Sequence, residues 1–434
     1  MGRQSGISST APYFYRMSEN KSGWRWVPSL YVFQGVPSCL VMTTSSLMYS
    51  DMGISLSSIA FWTSAVSLPW SLKPLWAPLV ERYGTKREWV RTTQLVLVVA
   101  FLLLGLSMVT GGFFGLSLAL MFAIAMASSL HDIACDGYYM MALDERGQSF
   151  FVGIRSTFYR VAMVLTTGMV PLLAGKWGGG AGSGEGWMMA IGCAGVLLAV
   201  MAILCRVGMP RVTEVRGRQD DGLKIFVRAL RSFFTHKGAV AAVTFFFVYR
   251  LGEAVLSKAV LPFLNTDRAA GGLGISVESC GVVYGTFGVL ALVAGGVLGG
   301  IMASRWGLRR LLWPMIVMMN VPNLGYVALA YFMPDGGSWW VTAAVMTEQF
   351  GYGLGFTAYM LVMLKYVGEA EYKAAEYAIG TSIMSLGLIL PGMLAGVLMG
   401  EMGWSFVTLF VVACVATLPG VIAATFLNLN DKAA

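Results

Sequence analysis

Charge is what this chain has least of. Asp, Glu, Lys and Arg make up only 12% of its 434 residues, while 57% are hydrophobic. A soluble globular chain carries about 25% charged residues, so an ordinary water-soluble domain is excluded and the membrane class is indicated. Six cysteines (39, 135, 193, 205, 280 and 414) contain no C-x-x-C pair, and five lie in apolar runs. There a thiol acts as a small core residue, which leaves no disulfide framework and no zinc site. A nucleophile elbow, a Walker loop, an HExxH helix and a dinucleotide fingerprint are all missing. No enzyme, cofactor, metal or nucleic-acid partner is indicated, and transport by such a chain is driven by an ion gradient. The first 25 residues show no signal-peptide pattern, so the N-terminus is expected to stay in the cytoplasm.

What is present is a series of apolar runs. Hydropathy predicts twelve spans: 27–49, 55–80, 92–111, 113–142, 150–175 and 187–206, then 238–264, 277–303, 311–333, 338–367, 374–400 and 404–427. About 20 apolar residues suffice for one crossing. With both termini cytoplasmic, 23 of the 30 Lys and Arg fall on the cytoplasmic side and two, Lys176 and Arg268, outside. Cationic residues set topology, so both termini are expected inside. The longest polar interruption divides the spans six and six. The domains expected are a tail (1–26), a six-helix bundle (27–206), a central loop (207–237), a second bundle (238–427) and a short tail (428–434). In the central loop Leu223, Phe226, Val227, Leu230, Phe233 and Phe234 recur at helical spacing, with Lys224, Arg228 and Arg231 on the other face. Such a helix suits either the membrane interface or a plain linker.

The halves echo each other. Glu81-Arg82-Tyr83-Gly84-Thr85-Lys86-Arg87 follows the second span and Ser304-Arg305-Trp306-Gly307-Leu308-Arg309-Arg310 follows the eighth. Arg82, Gly84 and Arg87 match Arg305, Gly307 and Arg310 in register. Repeats of this kind, with a site at their interface, are a transporter architecture. The spacing resembles the loop signature of the major facilitator superfamily, although Ala77 stands where its leading glycine falls. That resemblance implies that Glu81, Arg82, Arg87, Arg305 and Arg310 bridge helix ends in one conformation and release them in another.

Ionisable residues inside spans mark function. Lys73, Asp132, Asp136, Arg155, Arg160, Arg250, Glu253, Lys258 and Glu348 lie away from span ends. Five are positive and four negative, a balance that permits pairing. Ser128, Asp132, Asp136 and Tyr139 share one helix face, and His131 and Cys135 form the adjacent i, i+4 pair. Two carboxylates one turn apart repel when both are ionised, which suits proton exchange, and His131 adds a second titrating group. His131, Cys135 and Asp136 occupy only two helical turns and supply no closed metal shell. Arg160 has no acid in its own span and is expected to meet Asp132, Asp136 or an anionic solute, since a guanidinium matches carboxylate or phosphate. Arg250, Glu253 and Ser257 form one stripe. Glu348-Gln349 precedes Gly351, Gly353 and Gly355, which permit close helix approach. Tyr249, Tyr284, Asn323 and Tyr326 are candidate cavity residues.

Phe33-Gln34-Gly35-Val36-Pro37, Ser71-Leu72-Lys73-Pro74-Leu75-Trp76-Ala77-Pro78, the stretch Ser129 to Asp136, Tyr159-Arg160, Tyr249-Arg250-Leu251-Gly252-Glu253, Asn323-Leu324-Gly325-Tyr326 and Glu348 with its glycines together resemble AmpG-type muropeptide permeases. The likeness runs from about residue 27 to 425. It implies an all-α membrane protein with the twelve-helix major facilitator fold in two six-helix halves. It also implies proton-driven import of anhydromuropeptides across a bacterial inner membrane for cell-wall recycling. On this basis Asp132, Asp136, Glu253 and Glu348 are expected to exchange protons. Lys73, His131, Tyr139, Arg160, Arg250, Lys258, Tyr249, Tyr284 and Asn323 are expected to meet the solute. Two positions depart from the family: His131 replaces a glutamine, and Tyr139 stands where enteric relatives have lysine. Partners are then a small solute, protons and lipids around a monomer. Rival readings are export, or movement of a siderophore, metal chelate or nucleotide-linked acyl compound; a receptor that does not transport is a rival from another class.

Overall fold

A computed structural model describes residues 23–143, 145–179, 182–212, 219–236, 238–367 and 373–427. Every regular element among them is helical. The expected C-terminal tail and most of the N-terminal one lie outside the described residues.

All twelve apolar runs fold as helix. The first comprises α1 (Val27–Cys39), a π-helical turn (Leu40–Thr44) and α2 (Ser45–Asp51). The second comprises α3 (Leu56–Ala65), α4 (Leu68–Ser71) and α5 (Lys73–Arg82). Prolines at the first turns of α4 and α5 cannot donate to the preceding turn, so the run is broken there. The third and fourth are α6 (Lys86–Ser107) and α7 (Phe113–Ala142). The fifth is α8 (Glu145–Met163), a π-helical stretch (Val164–Met169) and α9 (Val170–Gly178). The sixth is α10 (Gly184–Gly208), and α11 (Gln219–Thr235) lies in the central loop.

The second series begins with α12 (Ala239–Val248) and α13 (Leu251–Asn265) as the seventh span. The eighth is α14 (Val277–Cys280), a π-helical stretch (Gly281–Gly288) and α15 (Val289–Trp306). The ninth joins α16 (Leu308–Asn320) to α17 (Leu324–Phe332) through a 3-10 turn. The last three are α18 (Trp339–Val367), α19 (Lys373–Met402), and α20 (Phe406–Ala416) with α21 (Leu418–Thr425).

Nine of these runs, among the described residues, are long and apolar enough to cross a bilayer on composition alone. The first, second and tenth are not among them. They are richer in hydroxyl, amide and charged side chains, such as Thr43 to Ser46, Ser67 to Lys73, and Glu348-Gln349. The third helix begins at Lys86, six residues before its apolar run, because Thr85 caps it. Its hydroxyl accepts from Glu88 N–H at 3.1 Å, and Glu88 Oε2 accepts from Thr85 N–H at 2.8 Å, a reciprocal capping box. Ser55, Ser183, Ser276 and Ser405 cap the helices starting at the end remote from the chain termini.

At that remote end a single apolar core runs through both series of spans, from Val32, Tyr49 and Trp187 to Phe263, Tyr326 and Phe410. Toward the termini it gives way to two separate cores. One centres on Trp26, Tyr138 and Phe151, the other on Phe233, Phe246 and Tyr359. The two series therefore meet at the remote end and part toward the termini. Their seam pairs α3 with α19, α2 with α13, α9 with α14, and the fifth-span π stretch with that of the eighth.

Glycine allows the contact between the two π stretches. A Cβ on Gly281 would stand 2.5 Å from the carbonyl oxygen of Gly168, and one on Gly285 would overlap the Thr167 backbone. Thr167 Oγ1 donates across the seam to the Gly285 carbonyl at 3.4 Å. On the other flank a Cβ on Gly392 would meet Ser64 Oγ at 2.6 Å. A bulky residue at Gly285 is expected to wedge this seam open. Cys280, fully buried beside it, reports the change once Cys193 and Cys414 are serine. Gly285→Leu should make Cys280 reactive to an impermeant maleimide that leaves the parent unlabelled; equal labelling would sink the idea.

Candidate functional site

Two clusters of ionisable groups lie within the helices, one in each series. The first is built on α7. Asp132 is 7% exposed and its Oδ2 accepts from Lys73 Nζ, at the start of α5, at 2.5 Å. Its Oδ1 is buried and has no hydrogen-bond partner among the described residues. One turn on, Asp136 has a side chain 51% exposed and pairs with Arg155 Nη1 of α8 at 3.4 Å. Arg155 also donates to Tyr31 Oη at 3.2 Å, and its guanidinium sits 5.2 Å over the rings of both Tyr31 and Tyr139. Both aspartates thus meet a cation, from a different span in each case.

His131 is turned away from these carboxylates. It is fully buried, its ring 5.0 Å from that of Phe33 and 3.4 Å from Cys135 Sγ. It packs as a core residue. Tyr139 acts as part of the platform under Arg155, together with Tyr31, which sequence reasoning passed over.

The second cluster joins the seventh to tenth spans. Arg250 lies where α12 breaks into α13, at the N-cap of the latter. It is 8% exposed; its Nη2 donates to Tyr352 Oη, and its guanidinium sits 5.5 Å over the rings of Tyr352 and Phe356. Glu348 is 1% exposed and accepts from Tyr326 Oη at 3.2 Å and from Gln349 Nε2 at 3.0 Å. The same Gln349 amide nitrogen donates to Tyr284 Oη at 3.3 Å. Glu253, half-buried, is within electrostatic reach of both Glu348 and Arg250. Neither glutamate forms a salt bridge among the described residues. Tyr352 stands four residues after Glu348, on the same face of α18; that i, i+4 spacing was the available signal for it.

Besides Arg250, two cations within the spans form no salt bridge among the described residues. Lys258, on α13, is buried, and Arg160, on α8, is half-buried with its Nη2 lying toward Gly296 of α15 in the other series. Asn323 is buried with its Oδ1 unpartnered. Tyr249 is a packing residue, stacked on Tyr359 at 5.0 Å with its hydroxyl donated to the Gly355 carbonyl at 3.2 Å.

The loop repeats differ in their engagement. Arg87 Nη2 donates to the Met209 carbonyl at 2.9 Å, tying the loop after the second span to the end of α10. Arg305 and Arg310 are exposed and have no hydrogen bond among the described residues. The side chains of Glu81 and Arg82 lie outside the described residues.

The sequence match to the Major Facilitator Superfamily covers residues 29–375. The anhydromuropeptide permease of Escherichia coli K12 is 29% identical over 395 residues, covering 89% of this chain and 76% of that protein. Among solved structures, a D-xylose-proton symporter superposes with a TM-score of 0.73 at 10% identity, covering 95% of this chain and 98% of that one. A bacterial homolog of the human lysosomal transporter Spinster, in an inward-facing and unoccupied conformation, superposes at 0.66 with 16% identity and 97% coverage of both chains.

The Lys73–Asp132 pair provides a test of this geometry. Asp132 is buried while the Lys73 side chain is 35% exposed, so removing Lys73 strands a buried carboxylate. Lys73→Met should therefore lower the thermal midpoint in detergent, and Lys73→Met/Asp132→Asn should recover much of the loss. Failure of the double variant to recover would mean that the pair does not hold these helices.

Proposed function

Because the chain belongs to the Major Facilitator Superfamily and is a multi-pass secondary transporter, we propose that it imports anhydromuropeptides together with protons by alternating access. Residues 27–206 and 238–427 act as the two moving bundles, linked by 207–237, in a bacterial inner membrane with both termini cytoplasmic. The likeness to the anhydromuropeptide permease of Escherichia coli over 89% of the chain supports the substrate class.

The observation that carries the reading is the pair of unanswered cations. A charge within a bilayer is costly unless paired or solvated. Lys73 and Arg155 have carboxylate partners within the protein, whereas Arg160 and Lys258 have none among the described residues. An anionic solute completes them. Arg160 reaches toward α15 from the opposite series, so a solute held by it draws on both bundles at once. Interactions that span the bundles favour the conformations in which both sides contact the solute, the differential affinity that a conformational cycle requires.

In this scheme the core split toward the termini leaves the molecule open on the cytoplasmic side. The glycine-lined seam closes the other. Arg87 at the end of α10, with Arg305 and Arg310 unengaged, reads as one stage in the make-and-break of helix-end contacts.

The test is uptake of radiolabelled anhydro-N-acetylmuramyl-peptide into proteoliposomes, with and without an inward proton gradient. The wild type should show gradient-stimulated accumulation. Arg160→Gln should raise KM by about 10- to 100-fold, the worth of a hydrogen bond to a charged group. No uptake by folded, correctly inserted protein would reject the muropeptide assignment.

A further inference from the structure

Four intramembrane carboxylates are available to carry a proton, and their surroundings divide them. Asp132 meets Lys73 and Asp136 meets Arg155, and the Asp136 side chain is half exposed besides. Each has a cation of another span beside it. Glu348 is sealed, with only neutral donors on it: Tyr326 from the ninth span and Gln349 from its own. Glu253 shares its electrostatic environment, and Tyr284, Tyr326 and Tyr352 complete the ring of titratable groups around the two glutamates. A sealed carboxyl with no salt bridge among the described residues, and a second carboxyl within electrostatic reach, is ionised together with that neighbour only at a large cost. Among the described residues Arg250 brings the positive charge to this cluster, and here its guanidinium is parked on Tyr352 and Phe356.

We propose that Glu253 and Glu348 share the transported proton, that Asp132 and Asp136 are fixed ion-pair members, and that Arg250 links the proton to the solute. This deepens the proton-coupled reading above and rests on it. An anion that engages Arg250 neutralises the one cation bearing on Glu253, so the glutamate pair holds its proton more firmly while solute is bound. Coupling of this kind is reciprocal: a protonated pair leaves Arg250 free of a competing carboxylate and strengthens its hold on the anion. Glu253, half-buried, is the member through which the proton enters and leaves; Glu348, sealed, is the member that retains it. The ring hydroxyl of Tyr326 and the amide of Gln349 orient the Glu348 carboxyl without carrying charge.

Infrared difference spectroscopy of the purified full-length protein, stepped through pH, reads the proton directly. The wild type should show the C=O stretch of a protonated carboxyl at neutral pH. That band should vanish in Glu348→Gln, disappear at lower pH than in the wild type in Glu253→Gln, where the repelling neighbour is gone, and persist in Asp132→Asn. Tyr326→Phe should shift its frequency by removing a hydrogen bond, which serves if a glutamate variant does not fold. In Arg250→Leu the band should survive to higher pH. A band unchanged in both glutamate variants, or lost in Asp132→Asn, overturns the assignment. In proteoliposomes Glu348→Gln should retain solute counterflow while losing gradient-driven accumulation, a loss of about tenfold per pH unit for one proton. Full accumulation in both glutamate variants would likewise overturn it. If the wild type takes up no muropeptide, the substrate reading falls, and the infrared band still decides where the proton sits.

Discussion

A charge held among apolar helices must be answered by an opposite charge, by hydrogen bonds, by water or by cargo. That requirement organises the interior of this protein. In the first series of spans the answer is built in: Lys73 comes to Asp132 from the second span, and Arg155 to Asp136 from the fifth. These pairs hold three helices in register. In the second series the answer is incomplete, with Arg250 resting on aromatic rings and Glu348 on neutral donors. The first half pairs both its carboxylates and leaves Arg160 open, and the second leaves its glutamates, Arg250 and Lys258 without salt bridges among the described residues. An asymmetry of function can thus sit on two halves that share a fold.

The same division appears in the packing. A continuous core at the end remote from the termini and two separate cores at the other place the shared apolar core of the two series on one side. The second cluster borders that shared core, since Tyr326, which donates to Glu348, belongs to it. The loop signatures follow suit: the first copy is engaged through Arg87 and the second is free.

How much of this was legible beforehand depends on the range of the interaction. Span positions follow from local hydropathy, and all twelve are helical. The helix breaks were less visible. A π-helical turn such as Leu40–Thr44 or Gly281–Gly288 changes no hydropathy, because it alters the hydrogen-bond step and leaves the residue type as it was. The candidate site residues were legible as a set of buried charges but not as pairs. Lys73 reads as a solute ligand from its own segment; only the packing of α5 against α7 makes it the partner of Asp132. His131 reads as a titrating group, yet a helix rotation of about 100° per residue sends it into the core beside Phe33 while Asp132 faces Lys73. Tyr352 was missed although its spacing from Glu348 was available, because a tyrosine among glycines reads as packing until Arg250 is placed on it.

The remote-end seam brings backbone against backbone at Gly168, Gly281 and Gly285, with the Thr167 hydroxyl bridging it. Such contact is dispersion and weak neutral hydrogen bonding. Neither depends on protonation, and neither is screened by ions. These backbone contacts carry no charge for pH to change, so a chemical signal that moves them must act on the tilt of whole helices. The gate is a fixed mechanical resistance, and the regulated force is applied from the charged interior.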